Sequence, residues 1–199
     1  VSDRKAPRLE LRPPATRILT SQGVALRLYL TVLAAAQVET KAGRQFDNRF
    51  PITGASDQLG WDDLVATGAE PSGRGRTYSL VRDKKARSIR SGLDNLERAG
   101  LVTLVGDAGK RGRHGDFVVL NEMGRQNPGD PIRYAVPRTK DAVIALPPQF
   151  VMNGWLNILE DSEIAVLLMV ACGCRSLPVR KELDVATREV AIPGEDRLR

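Results

Sequence analysis

The sequence predicts a mainly helical α+β chain in which a small β element follows the most regular helix. Three observations carry that expectation. Residues 82–99, RDKKARSIRSGLDNLERA, hold Ala86, Ile89, Leu93 and Leu96 at steps of three, four and three, which gathers them into one stripe of a helix. Gly100 stands where such a helix ends, because glycine takes the left-handed C-terminal conformation without steric cost. Two short β-type runs, 101–105 and 117–120, then flank a Gly-rich basic loop at 106–115.

The face opposite the stripe carries Lys84, Arg87, Ser88, Ser91, Asn95 and Arg98 and no acid, with Asp94 and Glu97 on its flanks. A solvated surface helix and a helix that docks a polyanion share this pattern. The segment after the helix favours the second: helix, strand, basic hairpin loop and strand, in that order, make the second half of a winged helix-turn-helix. The stretch ARSIRSGLDNLERAGLVTLV resembles the recognition helix and first wing strand of bacterial winged-helix DNA-binding proteins, where an ending in Leu, Glu, a small residue and Gly-Leu-Val recurs. The resemblance implies that residues 82–98 lie in a major groove. It makes Arg82, Lys84, Lys85, Arg87, Ser88, Arg90, Ser91 and Asn95 the candidate contacts of that helix. Lys110, Arg111, Arg113 and His114 become the wing contacts to backbone or minor groove.

Charge is confined in the same way. Between residues 72 and 114 there are eleven Lys or Arg and four acids, a local charge of +7 against +6 for all 199 residues, so the remainder sums to −1. Such confinement is the footprint of a polyanion site. An apolar content of 42% is enough for a core. Cys172 and Cys174 cannot make a disulfide framework, and with a single histidine they cannot complete a zinc set, so they read as buried reduced thiols. No run reaches the roughly 18 apolar residues of a membrane helix, and the N-terminus has no apolar signal core. The expectation is a cytoplasmic protein.

Residues 1–16 read as a flexible basic arm. A winged-helix domain is expected over 17–121, opening with a helix from Ser21, its N-cap, that keeps Val24, Ala25, Leu28, Val32 and Ala35 on one side and adds Tyr29 and Leu33 to its buried face. A short strand is expected next, at 50–53. A second helix is expected over 55–68, capped by Ser56 or Asp57, with Leu59, Trp61, Leu64 and Val65 on its apolar side. Trp61 reads as core. The connection to the basic helix, GAEPSGRGRTY, is longer than a tight helix-turn-helix turn; either Ser79 caps an earlier helix start, or the loop carries Arg74 and Arg76 beside the helix as further candidate DNA contacts.

Residues 122–142, with three prolines, read as a linker. A second unit, 143–199, is expected to hold a strand at 143–146, a turn at Asn153-Gly154, and a buried helix over 161–172 capped by Asp161 or Ser162 and stopped at Gly173. It is similar to the opening of another winged-helix domain, of the kind found in tandem in plasmid replication initiators and some regulators. Because it ends polar and without a third helix, it reads as partial and the chain as a fragment. Its apolar helix is expected to be covered on all sides by the strand, by Phe150 and Trp155, and by a second copy in a homodimer.

Enzymatic readings lack their residues. Acids are scattered among cations, GDAGKRG lacks the ending of a Walker motif, and His114 lies in a basic loop, so no catalytic residue, metal, cofactor or small-molecule ligand is expected. The function expected is sequence-specific binding of double-stranded DNA in transcription regulation. The alternatives are a plasmid-type replication initiator with tandem winged helices and a winged-helix protein-interaction adaptor. An adaptor would expose an apolar or acidic helix where Lys84, Arg87 and Arg98 stand. RNA binding would call for stacking aromatics, and the basic window has only Tyr78.

Overall fold

The apolar stripe of the basic helix packs against the first long helix, and the first unit assembles around that pair. The computed structural model describes residues 14–19, 23–68, 81–110, 112–122, 132–139, 141 and 143–176. The chain divides into two compact units, residues 12–139 and residues 140–199 with 1–11. Its described residues form seven helices and one two-stranded antiparallel sheet, a small α+β arrangement.

In the first unit, α1 (Pro14–Arg17), α2 (Ala25–Glu39), α3 (Trp61–Leu64) and α4 (Val81–Ala99) precede β1 (Val102–Leu104) and β2 (Phe117–Val119). On α4 the stripe Ala86, Ile89, Leu93 and Leu96 is buried as the spacing predicts, and Gly92 and Ala99 extend it. α2 buries Ala25, Leu28, Tyr29, Val32 and Ala36, and of its residues Ala25 and Leu28 stand, with Val24 just before it, against Gly92 of α4. Gly92 sets how closely the two helices approach, since a Cβ there would stand 3.0 Å from Val24 Cγ2 and 3.1 Å from Leu28 Cδ2. Burying Ile89, Leu93 and Leu96 is worth about 1.5–3 kcal/mol each, enough to fix which face of α4 looks outward.

α4 ends in a Schellman motif. Gly100, at φ +81°, donates its N–H to the Glu97 carbonyl at 2.9 Å, and Leu101 N–H reaches the Leu96 carbonyl at 2.9 Å. The turn sends the chain straight into β1, which pairs with β2 in the register Val102↔Val119 and Leu104↔Phe117. Both strands are shorter than the runs that predict them. Leu120 continues the ladder, its N–H donating to the Leu101 carbonyl at 2.8 Å, and also bridges Arg133.

That bridge belongs to a segment the sequence reading assigns to a linker. Residues 132–136 run extended beside β2, with Asn121 N–H to the Ile132 carbonyl at 2.8 Å and Tyr134 N–H to the Val119 carbonyl at 2.9 Å. Tyr134 and Val136 are buried, while Arg133 and Ala135 are exposed. This period-two pattern spans only five residues between prolines, and a search for helical spacing passes over it. Tyr29 ties the same region to α2, its hydroxyl donating to the Leu120 carbonyl at 3.3 Å. Burial, with the Glu122 carboxylate nearby, pushes the Tyr29 phenol well above its ordinary range, and burial raises Tyr134 as well.

Three further expectations for this unit are corrected. Residues 14–16 of the expected arm belong to α1, and Arg17 Nη1 donates to the Ala99 carbonyl at 3.2 Å. No strand forms at 50–53; the Pro51 and Ile52 carbonyls instead accept the N–H groups of Trp61 at 2.9 Å and Asp62 at 3.0 Å. The helix expected over 55–68 is only α3. Ala55 and Gln58 close a tight turn, Leu59 is exposed, and the backbones of Gly54 and Gly60 approach so closely that neither position has room for a side chain. Neither Ser56 nor Asp57 caps α3; it starts at Gly60, whose N–H is held by the Asp63 carboxylate at 3.0 Å. Trp61 is core, fully buried with its ring 5.1 Å from Phe50 and 5.9 Å from Phe117. Ser21 and Ser79 lie outside the described residues.

The second unit contains α5 (Pro148–Met152), α6 (Trp155–Ile158) and α7 (Asp161–Ser176). The strand expected at 143–146 does not form, and α7 runs past Gly173. Its first turn is closed by Glu163, whose carboxylate accepts the Glu160 N–H at 2.8 Å, in place of a cap by Asp161 or Ser162. Within one chain α7 is not covered on all sides: of its described side chains only Ile164 is buried, while Val166, Met169 and Cys172 are exposed, and the covering expected from a second copy lies outside a single chain. The reading of Cys172 as a buried thiol is corrected accordingly, and Cys174 lies outside the described side chains. No described helix is long and apolar enough to cross a membrane.

If the α2–α4 contact is the main source of stability, Leu93→Ala should destabilise the first unit by about 2–5 kcal/mol in denaturant unfolding. A loss under about 0.5 kcal/mol, the size of an ordinary surface substitution, would contradict that assignment.

Candidate nucleic-acid interface

With its stripe buried, α4 presents Arg82, Asp83, Arg87, Arg90, Ser91 and Arg98 as exposed residues, with Lys84, Lys85, Ser88 and Asn95 half-buried. The structure separates these side chains by what each already touches. Arg82 donates to the Gly54 carbonyl, and its Nε lies 3.8 Å from Asp62 Oδ2. Lys85 Nζ donates to the Asp62 carbonyl at 3.2 Å. Asp62 is itself buried, 3% exposed, and its Oδ1 accepts the Gly54 N–H at 2.8 Å. A buried carboxylate is tolerated only when paired and hydrogen-bonded, so Arg82 helps to satisfy Asp62 while pinning the start of α4 to the 54–62 segment.

Farther along the helix, Arg98 donates to the Asn95 side chain and to the Asp94 carbonyl, the latter at 3.4 Å. Arg87 and Arg90 differ from these: both are exposed, and neither makes an ion pair with a described residue. They line a recess of about 440 Å³ together with Arg82, Asp83, Ala86 and Thr53. Thr53 enters from the irregular segment before the 55–58 turn. The sequence reading misses it because the expected strand at 50–53 gives no reason to place it beside α4.

The hairpin loop is fastened to the other end of the same helix. Arg113 Nη1 lies 3.5 Å from Asp94 Oδ1, and its Nη2 bonds the Glu97 carboxylate. His114 Nε2 sits 2.9 Å from Asp94 Oδ1. Glu97 also accepts the Leu104 N–H at 3.2 Å, which ties the loop clasp to β1. Arg113 and His114, read as wing contacts, are therefore part of an intrachain clasp, with side chains only 26% and 20% exposed. Asp94 and Glu97, expected on the helix flanks, are its acceptors. The signal available in sequence was the i, i+3 spacing of two acids near a loop holding arginine and histidine, which names no partner by itself. Lys110 projects from the loop at 75% exposure and pairs locally with Asp107 at 2.6 Å. Arg74, Arg76 and Arg111 lie outside the described residues.

Chemically, the α4 face offers guanidinium donors, a hydroxyl on Ser91 and a half-open recess, and so suits an anionic ligand of extended shape. Among the described residues no three His, Cys, Asp or Glu side chains are grouped as a metal site would require.

A double-mutant cycle of Arg113→Ala and Glu97→Ala should return a coupling of about 0.5–1 kcal/mol in denaturant unfolding, shrinking with added salt, because the pair is partly exposed. Zero coupling at low salt would mean that the clasp does not hold the loop. The chain matches no protein-family model, and neither a curated protein nor a solved structure is significantly similar to it.

Proposed function

We propose that this protein binds double-stranded DNA sequence-specifically, through the exposed face of α4 with the β1–β2 hairpin beside it as the wing of a winged helix-turn-helix, and that it acts in transcription regulation. One observation carries the reading: Arg87 and Arg90, unengaged by any described carboxylate, open into one recess on a helix whose opposite face is entirely core. The recess holds three arginines against the single carboxylate of Asp83, an excess of positive charge that a polyanion relieves. Arginine can bond both acceptors on the major-groove edge of guanine at once, which suits Arg87 and Arg90 to base reading. Ser91, exposed on the same face, suits a phosphate contact, and Lys84 is assigned to the phosphates with it. Arg82, Lys85, Arg113 and His114 serve the reading indirectly, by fixing where α4 and the hairpin stand.

Each role has a measurable size. With about three to four phosphates contacted, log K for a random duplex should fall against log salt with a slope of roughly −3 to −4. Sequences selected from random duplexes should share a preferred site, and Arg87→Ala should weaken binding to it by about 1–3 kcal/mol with less effect on unrelated duplexes. Binding that ignores salt, or an Arg87→Ala variant that keeps the full preference, contradicts the proposal.

A further inference from the structure

A second group of cations lies away from α4. Lys41, Arg44 and Arg49 are exposed and line one recess of about 190 Å³ just beyond the C-terminus of α2. The segment that carries Arg44 is held in place by residues 135–136: Gly43 N–H donates to the Val136 carbonyl at 2.7 Å, Val136 N–H to the Arg44 carbonyl at 2.9 Å, and Gln45 bridges Ala135. Gly43 sits at φ +81°, and the Arg138 guanidinium occupies the space a side chain there would need. Three cations thus line one recess whose acids are Glu39 and Asp47. A lysine after a helix is what the carbonyl end of α2 calls for. Arg44 and Arg49 lie farther along the chain, which a helix terminus does not account for.

Position relates this cluster to the face of α4. Phe50 lines the recess beside Arg49, and Thr53 lines the recess beside Arg87 and Arg90. Three residues of chain span at most about 10 Å. Duplex DNA carries one charge per roughly 1.7 Å of its axis, so a duplex seated on α4 and running toward Thr53 carries several phosphates past that distance.

We propose that Lys41, Arg44 and Arg49 form a second contact with the phosphate backbone of the duplex bound at α4. The inference rests on the DNA-binding reading and extends its footprint across the 49–53 segment. Phosphates carry no sequence, so this contact adds affinity and salt dependence at every site and no base preference.

The test uses the full chain and a random-sequence duplex of about 30 base pairs, titrated between about 50 and 200 mM salt. The variant Lys41→Ala/Arg44→Ala/Arg49→Ala should flatten the slope of log K against log salt by about 2–3. Lys41→Arg/Arg44→Lys/Arg49→Lys should keep the wild-type slope, because counterion release counts charges. Circular dichroism checks folding; if the triple alanine variant unfolds, Lys41→Gln and Arg44→Gln taken singly should each flatten the slope by about 0.9. An unchanged slope in the folded neutral variants overturns the second contact, while loss of the site preference in Arg87→Ala would leave the α4 reading standing. A wild-type chain that does not bind duplex overturns both.

Discussion

Everything placed at the candidate interface depends on the contact between α2 and α4. Ile89, Leu93 and Leu96 are fully buried, and Gly92 lets Val24 and Leu28 come against the α4 backbone. A helix anchored along one whole side has its opposite side defined to within a residue, since a rotation of about 100° would expose the stripe to water. The outward position of Arg87 and Arg90 is therefore a consequence of apolar burial and does not require a charge interaction of their own.

The cations of this region divide by environment more than by residue type. Arg82 and Lys85 engage the buried Asp62 and its carbonyl, and Arg113 and His114 engage Asp94 and Glu97. Pairs of this kind contribute little to stability when exposed, but they fix geometry when several converge on one acceptor. Asp62 sets where the 54–62 segment meets the start of α4, and the Asp94–Glu97 pair sets where the hairpin meets its C-terminal half. Had all these cations been left unengaged, the face would be more positive and less defined. Positioning by internal pairs leaves a smaller set of charges to act on a ligand.

How much of this could be read in the sequence differed by element. The α4 stripe, the Gly100 stop, the hairpin order and the core role of Trp61 follow from helical spacing and turn chemistry, each local to a few residues. The 55–60 turn was not legible, because its residues suit a helix start and only the backbone approach of Gly54 to Gly60 excludes one. Residues 132–136 alternate over too short a span, between prolines, to stand out from a linker. The clasp at Asp94 and Glu97 joins residues up to twenty positions apart, and pairings over that distance are products of the fold. For α7 an unbroken apolar run implied burial by its own unit and by a second copy, and within the one described chain Val166 and Met169 are exposed. At the site, the face of α4 was legible as a set, while the distinction between engaged and open cations within it was not.

The most direct test of DNA binding through α4 is the map of backbone amide chemical shifts on addition of a duplex that the chain selects. The largest changes should fall at Arg87, Arg90, Ser91 and Thr53, with the amides of the buried stripe at Ile89, Leu93 and Leu96 changing less. Changes confined to residues 143–176, or none at saturating duplex, would contradict it.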